Sequence, residues 1–204
     1  MEPRPRRIAL GALARRAYHE AGHGVVALEL GALVGAASMR SDADGVAGGS
    51  SVIDEPWWKG ESTLPEDLPR SAMVSLGGIA AEGVVDAWGR LGSCDVEAHI
   101  ETGVSLAIGL WSHGHGGGSV PDFVRAAQCI PDDQTAGGEG WLKCRAIEAG
   151  RILLSQWGRV EDLRRALMRC RAGGYLTADE LAALLGGTVE MSERIGQPVC
   201  RGKR

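Results

Sequence analysis

The feature that most constrains this chain is the stretch RRAYHEAGHGVVAL at 15–28, which contains the pattern HExxH. His19 and His23 are four residues apart, so on an α-helix their side chains lie one turn apart on the same side. Two imidazoles in this arrangement can bind one zinc ion and leave Glu20 beside the open coordination positions. Zinc makes water more acidic, and a neighbouring carboxylate can accept its proton during attack on a carbonyl group. The pattern therefore predicts a zinc hydrolase with Glu20 as general base.

The segment from about Leu10 to Leu30 is predicted to form the helix that this pattern requires. Apolar residues recur at helical spacing along one face, and the two histidines are expected on an adjacent face. Gly31 and Gly35 are expected to end the helix. The apolar face consists of Leu13, Ala17, Ala21, Val25 and Leu28.

A zinc site of this kind needs a third protein ligand, and the sequence offers several. One group of candidates opens a later predicted helix, for which Ser93 is the expected N-cap. These candidates are Asp95, Glu97, His99 and Glu101, while Glu82 lies on the preceding predicted helix. Asp95 and His99 share a helix face, so their spacing leaves both possible.

The remaining pattern predicts a mainly α-helical fold with a small β element between the first two helices. That element falls in the glycine- and serine-rich segment 34–58, and the second helix starts near Pro69. The pair Gly77-Gly78 is expected to interrupt the second helix where another backbone approaches closely. A third helix continues to Trp111, and a short one covers about 122–130.

The carboxy-terminal part is predicted to contain a helical hairpin, roughly 141–156 and 160–171. A last short helix follows, and Thr177 and Glu180 form a capping-box pattern at its start.

Length and composition favour one domain, 1–204, with a core at about 10–186 between a loose basic amino terminus and a loose tail. A net charge of −4 argues against a nucleic-acid partner. No run of about 18 apolar residues occurs, so no membrane span is expected. The first ten residues do not resemble a secretory signal, and the 5 scattered cysteines fit free thiols in a reducing cytoplasm.

Four segments of this chain resemble the peptidase domain of the FtsH family of ATP-dependent zinc metalloproteases. They are AYHEAGH at 17–23, SLGGIAAEGVV at 75–85, LGSCDVEAHIETGVSLAIGLW at 91–111 and the closing stretch from EAGRILL to LAALL at 148–185. They occur in the family's order and together extend over about 14–186. The first segment is the most specific and the last is the weakest.

The resemblance implies a zincin-like helical metallopeptidase domain that cleaves peptide bonds in peptides or unfolded proteins. It implies His19, His23 and Asp95 as zinc ligands, with Glu20 as the catalytic base. Glu82 matches a family glutamate, which we expect behind the ligands or in helix packing. His99 and Glu97 stay possible replacements for Asp95, because SCDVEAH departs from the family's small and polar residues at this point.

The chain also departs from the family in having no GxxxxGK[ST] phosphate-binding loop. We therefore expect a stand-alone peptidase domain without its own ATPase motor, with a separate ATPase as a possible partner and a homo-oligomer as a possible assembly. The alternative is a binding or regulatory module that keeps the peptidase fold but lacks catalysis. The presence of Glu20 favours the enzyme, because a purely structural metal site has no need of a general base.

Overall fold

The structure is a computed structural model that describes residues 11–32, 34–41, 47–53, 66–89, 95–113, 120–170 and 175–185. The two terminal segments predicted to be loose lie outside this range, and so does Ser93. The elements in chain order are α1 (Ala12–Glu29), β1 (Val34–Ser41), β2 (Ala47–Ile53), α2 (Asp67–Gly89), α3 (Val96–Ser112), α4 (Val120–Ala127), a 3-10 helix (Asp132–Gly137), α5 (Gly138–Ser155), α6 (Trp157–Arg169), β3 (Tyr175–Thr177) and α7 (Ala178–Leu185). The prediction of a mainly helical protein with a small β element between its first two helices is confirmed.

Helix α1 lies in the interior of the protein instead of presenting one apolar face to it. Every residue from 17 to 27 is buried, including both histidines and Glu20. Helix α2 packs on one side of α1, and α6 and the β1–β2 pair pack elsewhere around it. The sequence predicted burial of one face of α1 only, whereas the structure buries this part of the helix on all sides. The helix ends where Gly31 was predicted to end it, with this glycine in the left-handed region at φ 83°. The same prediction for Gly35 is wrong, because Gly35 lies within β1.

Helices α1 and α2 cross with their backbones in direct contact. A Cβ added to Gly22 would lie 2.3 Å from the carbonyl oxygen of Gly77, so neither position has space for a side chain. The close approach predicted at Gly77-Gly78 is confirmed. The predicted interruption is wrong, because α2 runs without a break from Asp67 to Gly89.

The small sheet has the strand order β2-β1-β3, with both neighbouring pairs antiparallel. Ala37 at the centre of β1 pairs with Ser51 of β2 and Leu176 of β3. Thr177, the last residue of β3, also begins α7 through the predicted capping box. Its backbone N–H donates to the Glu180 carboxylate at 2.8 Å, and Glu180 N–H donates to the Thr177 hydroxyl at 3.3 Å.

The two predicted carboxy-terminal helices are present as α5 and α6, joined by Gln156 alone. Their main packing partners differ. Helix α5 lies mainly on α2 and α3, whereas α6 lies mainly on α1. Ile100 of α3 fits against Gly83 of α2 and Gly150 of α5, which brings the three helices close together. Helix α4 packs on α2 and α3, and this placement carries its first turn to the histidines of α1. None of the helices in the described ranges is both long and apolar enough to cross a membrane.

Candidate metal centre

His19 and His23 extend from the same side of α1, as their spacing predicts. Their rings meet edge to face, with centroids 4.7 Å apart and an interplanar angle of 76°. His19 has no solvent exposure and His23 has 6%. Buried imidazoles need partners for both ring nitrogens, so the contacts around them define what this site can bind.

Asp122, in the first turn of α4, supplies the group that faces both histidines. Its Oδ2 atom lies 3.0 Å from His19 Nε2 and 3.5 Å from His23 Nε2. One donor atom from each of the three residues lies within 4.8 Å of the other two. Within the described ranges, no second group of three His, Cys, Asp or Glu side chains meets this condition.

The opposite edge of each imidazole is held by an acceptor. His19 Nδ1 lies 2.9 Å from Glu82 Oε1, and His23 Nδ1 lies 2.7 Å from the backbone carbonyl oxygen of Val74. A carbonyl oxygen only accepts hydrogen bonds, so His23 carries a proton on Nδ1. An ionised carboxylate also only accepts, so His19 likewise carries a proton on Nδ1, facing Glu82. Both histidines are therefore oriented with Nε2 toward Asp122, as metal-binding histidines are.

Gly78 of α2 makes room for the His19 ring. A Cβ at this position would lie 2.5 Å from Nε2 and 2.6 Å from both Cδ2 and Cε1 of His19. Since these three distances are nearly equal, the added carbon would lie over the ring face. The glycine therefore lets α2 pack against the imidazole while its Nε2 edge stays directed at Asp122.

The donor set fits zinc. Two imidazole nitrogens and one carboxylate oxygen are a common protein ligand set for zinc that keeps an open position. Tetrahedral coordination at about 2.0–2.1 Å separates ligand atoms by about 3.3 Å. The two Nε2–Oδ2 distances of 3.0 and 3.5 Å bracket that spacing. Asp122 keeps 30% of its side chain exposed, so the group is open to solvent on this side.

The electrostatics of this group of residues favour a protonated His19. Burial opposes the charge, but hydrogen bonds to Asp122 and Glu82 outweigh it and raise the pKa of His19 to about 9. Burial likewise works against the carboxylates, yet the hydrogen bond with His19 holds the pKa of Asp122 well below its usual range and lowers the pKa of Glu82. These three side chains thus form an ion cluster in which a protonated His19 lies between the carboxylates of Asp122 and Glu82.

The structure does not bring Asp95 to this group, although the resemblance implied it as the third ligand. Asp95 is exposed and is the N-cap of α3, where its Oδ1 accepts a hydrogen bond of 3.0 Å from Ala98 N–H. It therefore takes the capping role that the sequence assigned to Ser93. The rival Glu97 forms an exposed ion pair with Arg151 at 2.8 Å. Neither Glu97, His99 nor Glu101 belongs to the three-residue group.

Glu20 is almost fully buried, with 2% exposure, and pairs with Arg16 one helical turn earlier. The distance between Glu20 Oε1 and Arg16 Nη2 is 2.8 Å. Its carboxylate is not one of the atoms grouped around Asp122. The residue predicted as general base is thus adjacent to His19 in the chain, and its carboxylate is paired with the Arg16 guanidinium.

Sequence reasoning missed Asp122 because nothing local distinguishes it. An aspartate in the first turn of a short helix is ordinarily explained by the helix dipole. Its partner His19 lies 103 residues earlier in the chain, so no motif spacing links the two. The available signal was the position itself, an acidic residue opening a helix directly after the histidine- and glycine-rich segment 113–118.

Comparison of the chain with protein-family models and with curated protein sequences gives no match.

Proposed function

We propose that this protein is a zinc-dependent metallopeptidase. The observation that carries the proposal is the convergence of His19 Nε2, His23 Nε2 and the Asp122 carboxylate, with both histidines held from behind. An ordinary buried histidine is satisfied by one or two hydrogen bonds. Two of them one turn apart, sharing one carboxylate and oriented by separate acceptors, match the construction of a catalytic zinc site.

In this proposal His19, His23 and Asp122 hold the metal. Bound zinc would supply acidification of a water molecule and polarisation of a carbonyl group. Glu20 would take the proton from the attacking water and pass it to the leaving amine as the C–N bond breaks. For this role the Glu20 carboxylate must turn from Arg16 toward the substrate, and catalytic contacts often tighten only in the substrate complex.

We also propose that the protein is related to the FtsH peptidases, with a different third metal ligand. The HExxH pattern on a helix and the mainly helical fold support it. Glu82 supports it as well, because it lies behind His19 where the resemblance allowed it. Asp122 replaces Asp95 as the proposed third ligand, since Asp95 caps α3 on the surface.

The proposed substrates are peptides or unfolded proteins. This sequence contains no phosphate-binding loop of the GxxxxGK[ST] type, so we propose that folded substrates would need unfolding by a separate ATPase. Assembly into a homo-oligomer is compatible with this proposal and can be measured independently.

One observation favours a second candidate, a peptidase-like fold used for binding without catalysis. The Glu20 carboxylate is engaged by Arg16 and lies outside the donor group, as it would in a protein that needs no general base. In that case zinc would stabilise the fold, and Glu20 would serve only as the ion-pair partner of Arg16.

The experiment that separates the two candidates is digestion of reduced casein by the zinc-loaded protein, comparing wild type with Glu20→Gln. Glu29→Gln, at the end of the same helix, is the matched control because it removes the carboxylate of another α1 ion pair, Glu29–Arg159, which includes no residue of the proposed site. Cleavage by wild type and Glu29→Gln, but not by Glu20→Gln, would support the peptidase. If all three proteins bind zinc and none cleaves casein or a library of unstructured peptides, the binding module is the better description.

A further inference from the structure

A network of charged side chains lies behind His19, across the interface between α1 and α2. Arg15, one turn before His19, donates from Nε to Glu82 Oε2 at 2.8 Å. Its two terminal nitrogens donate to the two oxygens of Asp86, each at 2.9 Å. Glu82 and Asp86 are one turn apart on α2, so a single guanidinium joins both of them to α1.

Glu82 uses its two oxygens for different partners. Oε1 lies 2.9 Å from His19 Nδ1, and Oε2 accepts from Arg15. A glutamate carboxylate can turn about its terminal torsion, and a hydrogen bond to one oxygen alone does not determine that rotation. The Arg15 contact fixes Oε2, so Oε1 stays directed at His19.

Arg15 is itself held in one orientation. The paired hydrogen bonds with Asp86 form the planar fork that arginine makes with a carboxylate and that lysine cannot reproduce. With its terminal nitrogens engaged by Asp86, the guanidinium presents Nε to Glu82. Asp86 therefore orients Arg15, Arg15 orients Glu82, and Glu82 orients the imidazole of His19.

The solvent exposure of these side chains indicates whether Arg15 mainly positions His19 or mainly stabilises the fold. The Arg15 side chain is 43% exposed, Asp86 is 29% exposed and Glu82 is 21% exposed, whereas His19 is fully buried. Ion pairs as exposed as Arg15–Asp86 contribute little to folding. If Arg15 has a strong effect on the protein, that effect should therefore appear in the properties of the metal centre more than in stability.

We propose that Arg15 is a positioning residue of the metal centre, which acts through Glu82 to hold the imidazole of His19 in its metal-binding orientation. This inference rests on the proposed metal site at His19, His23 and Asp122. It adds to that site a residue whose hydrogen bonds go to Glu82 and Asp86, outside the ligand set, and that the HExxH pattern does not contain.

The test is the zinc dissociation constant of Arg15→Met, measured by competition with a chromophoric chelator, together with the visible absorption spectrum of the Co²⁺-loaded protein. Loss of a partner behind a metal-binding histidine weakens metal affinity by about 10–100-fold, and we expect an effect of this order. The Co²⁺ bands should also change in position or intensity, because they report ligand geometry and a purely structural residue would leave them unchanged.

Arg151→Met is the matched control. Arg151 also joins two helices by donating two N–H groups to one glutamate, Glu97, on the exposed surface. Its removal should leave zinc affinity and the Co²⁺ spectrum unchanged. The double variant Arg15→Met/Glu82→Gln should bind zinc no more weakly than Glu82→Gln alone, because Arg15 acts only through that carboxylate.

Each failure has a different signature. If wild type binds neither Zn²⁺ nor Co²⁺, the proposed metal site is overturned, and this inference falls with it. If wild type binds both ions and Arg15→Met binds them equally with the same spectrum, only the role of Arg15 is overturned. Additive losses in the double variant would also overturn it. Should Arg15→Met fail to fold, Arg15→Lys keeps the charge but lacks the fork, and the same comparisons apply to it.

Discussion

The Nε2 atom of His19 and the Oδ2 atom of Asp122 lie 3.0 Å apart, although 103 residues separate them in the chain. Packing of α4 on α2 and α3 creates this contact, because it brings the first turn of α4 to the open edge of the two imidazoles. The same carboxylate oxygen lies 3.5 Å from His23 Nε2. A pair of histidines on one helix thus becomes a three-residue site.

Replacement of the third ligand should distinguish Asp122 from Asp95. We expect Asp122→Ala to lose most of its bound zinc, because two histidines alone make an incomplete site. Asp95→Ala should keep its zinc and lose about 1 kcal/mol of stability, since it removes the N-cap of α3. Metal content per chain after dialysis, together with urea unfolding, measures both. Zinc loss in Asp95→Ala with zinc retained in Asp122→Ala would restore the ligand set implied by the FtsH resemblance.

Zinc affinity should still change with pH at values well above 6.5, the ordinary pKa of histidine. The pKa of His19 is raised to about 9, and its Nε2 proton must leave before a metal binds. An ordinary histidine is already neutral at pH 7.5, so the dependence that persists from pH 7.5 to 8.5 reports His19. We expect affinity to increase by about eightfold over this interval, measured by chelator competition corrected for the chelator's own protonation.

Glu82→Gln provides the control for that pH dependence. It removes one of the carboxylates that raise the pKa of His19, so the increase between pH 7.5 and 8.5 should become smaller. A flat affinity profile in wild type over this interval would show that His19 is already neutral without metal.

The stability of the zinc-free protein should decline at alkaline pH. The pKa of His19 is raised, so its contribution is complete below about pH 6.5 and is lost as the pH rises through about 9. The pKa values of Asp122 and Glu82 are lowered, so their contributions are present above their ordinary values and are lost in acid. Urea unfolding in a chelator should therefore give a higher free energy of unfolding at pH 6 than at pH 9. Equal values would contradict the ion cluster.

Gly78→Ala should damage the metal site from the side of α2. The added methyl group would lie about 2.5 Å from His19 Nε2, so the ring or the helix must move. Overpacking of this kind costs about 1–3 kcal/mol, and zinc affinity should fall together with stability. Gly109→Ala in α3 is the control, because no atom lies within 4 Å of its added Cβ. It should be neutral or stabilising by up to about 1 kcal/mol.

Arg16→Met should destabilise the protein more than loss of a surface arginine. Glu20 has only 3% side-chain exposure and Arg16 has 18%, so the variant leaves a buried carboxylate without its cation. Removal of one member of such a pair costs about 3–5 kcal/mol. Addition of Glu20→Gln should recover part of this loss, because the amide carries no charge. Arg165→Met, which breaks the exposed pair with Asp162, should change stability by less than about 1 kcal/mol.

Local sequence rules predicted much of the fold because they depend on near neighbours. The helical spacing of apolar residues located α1, and a glycine marked its end. Both hydrogen bonds of the capping box predicted for Thr177 and Glu180 are present. The same rules were less successful for α2, where two adjacent glycines suggested a break. The helix continues there because packing against α1 compensates for their low helix propensity.

The sequence by itself determined that two histidines lie one turn apart with a glutamate beside them, since the geometry of a single helix dictates that arrangement. Only the tertiary structure decided which carboxylate meets them. Asp95 and Asp122 both sit at the start of a helix, and each could be explained there by local interactions alone. Helix packing leaves Asp95 at the surface and brings Asp122 to the imidazoles. It also places Val74 and Glu82 behind the rings, contacts between distant segments that no local pattern encodes.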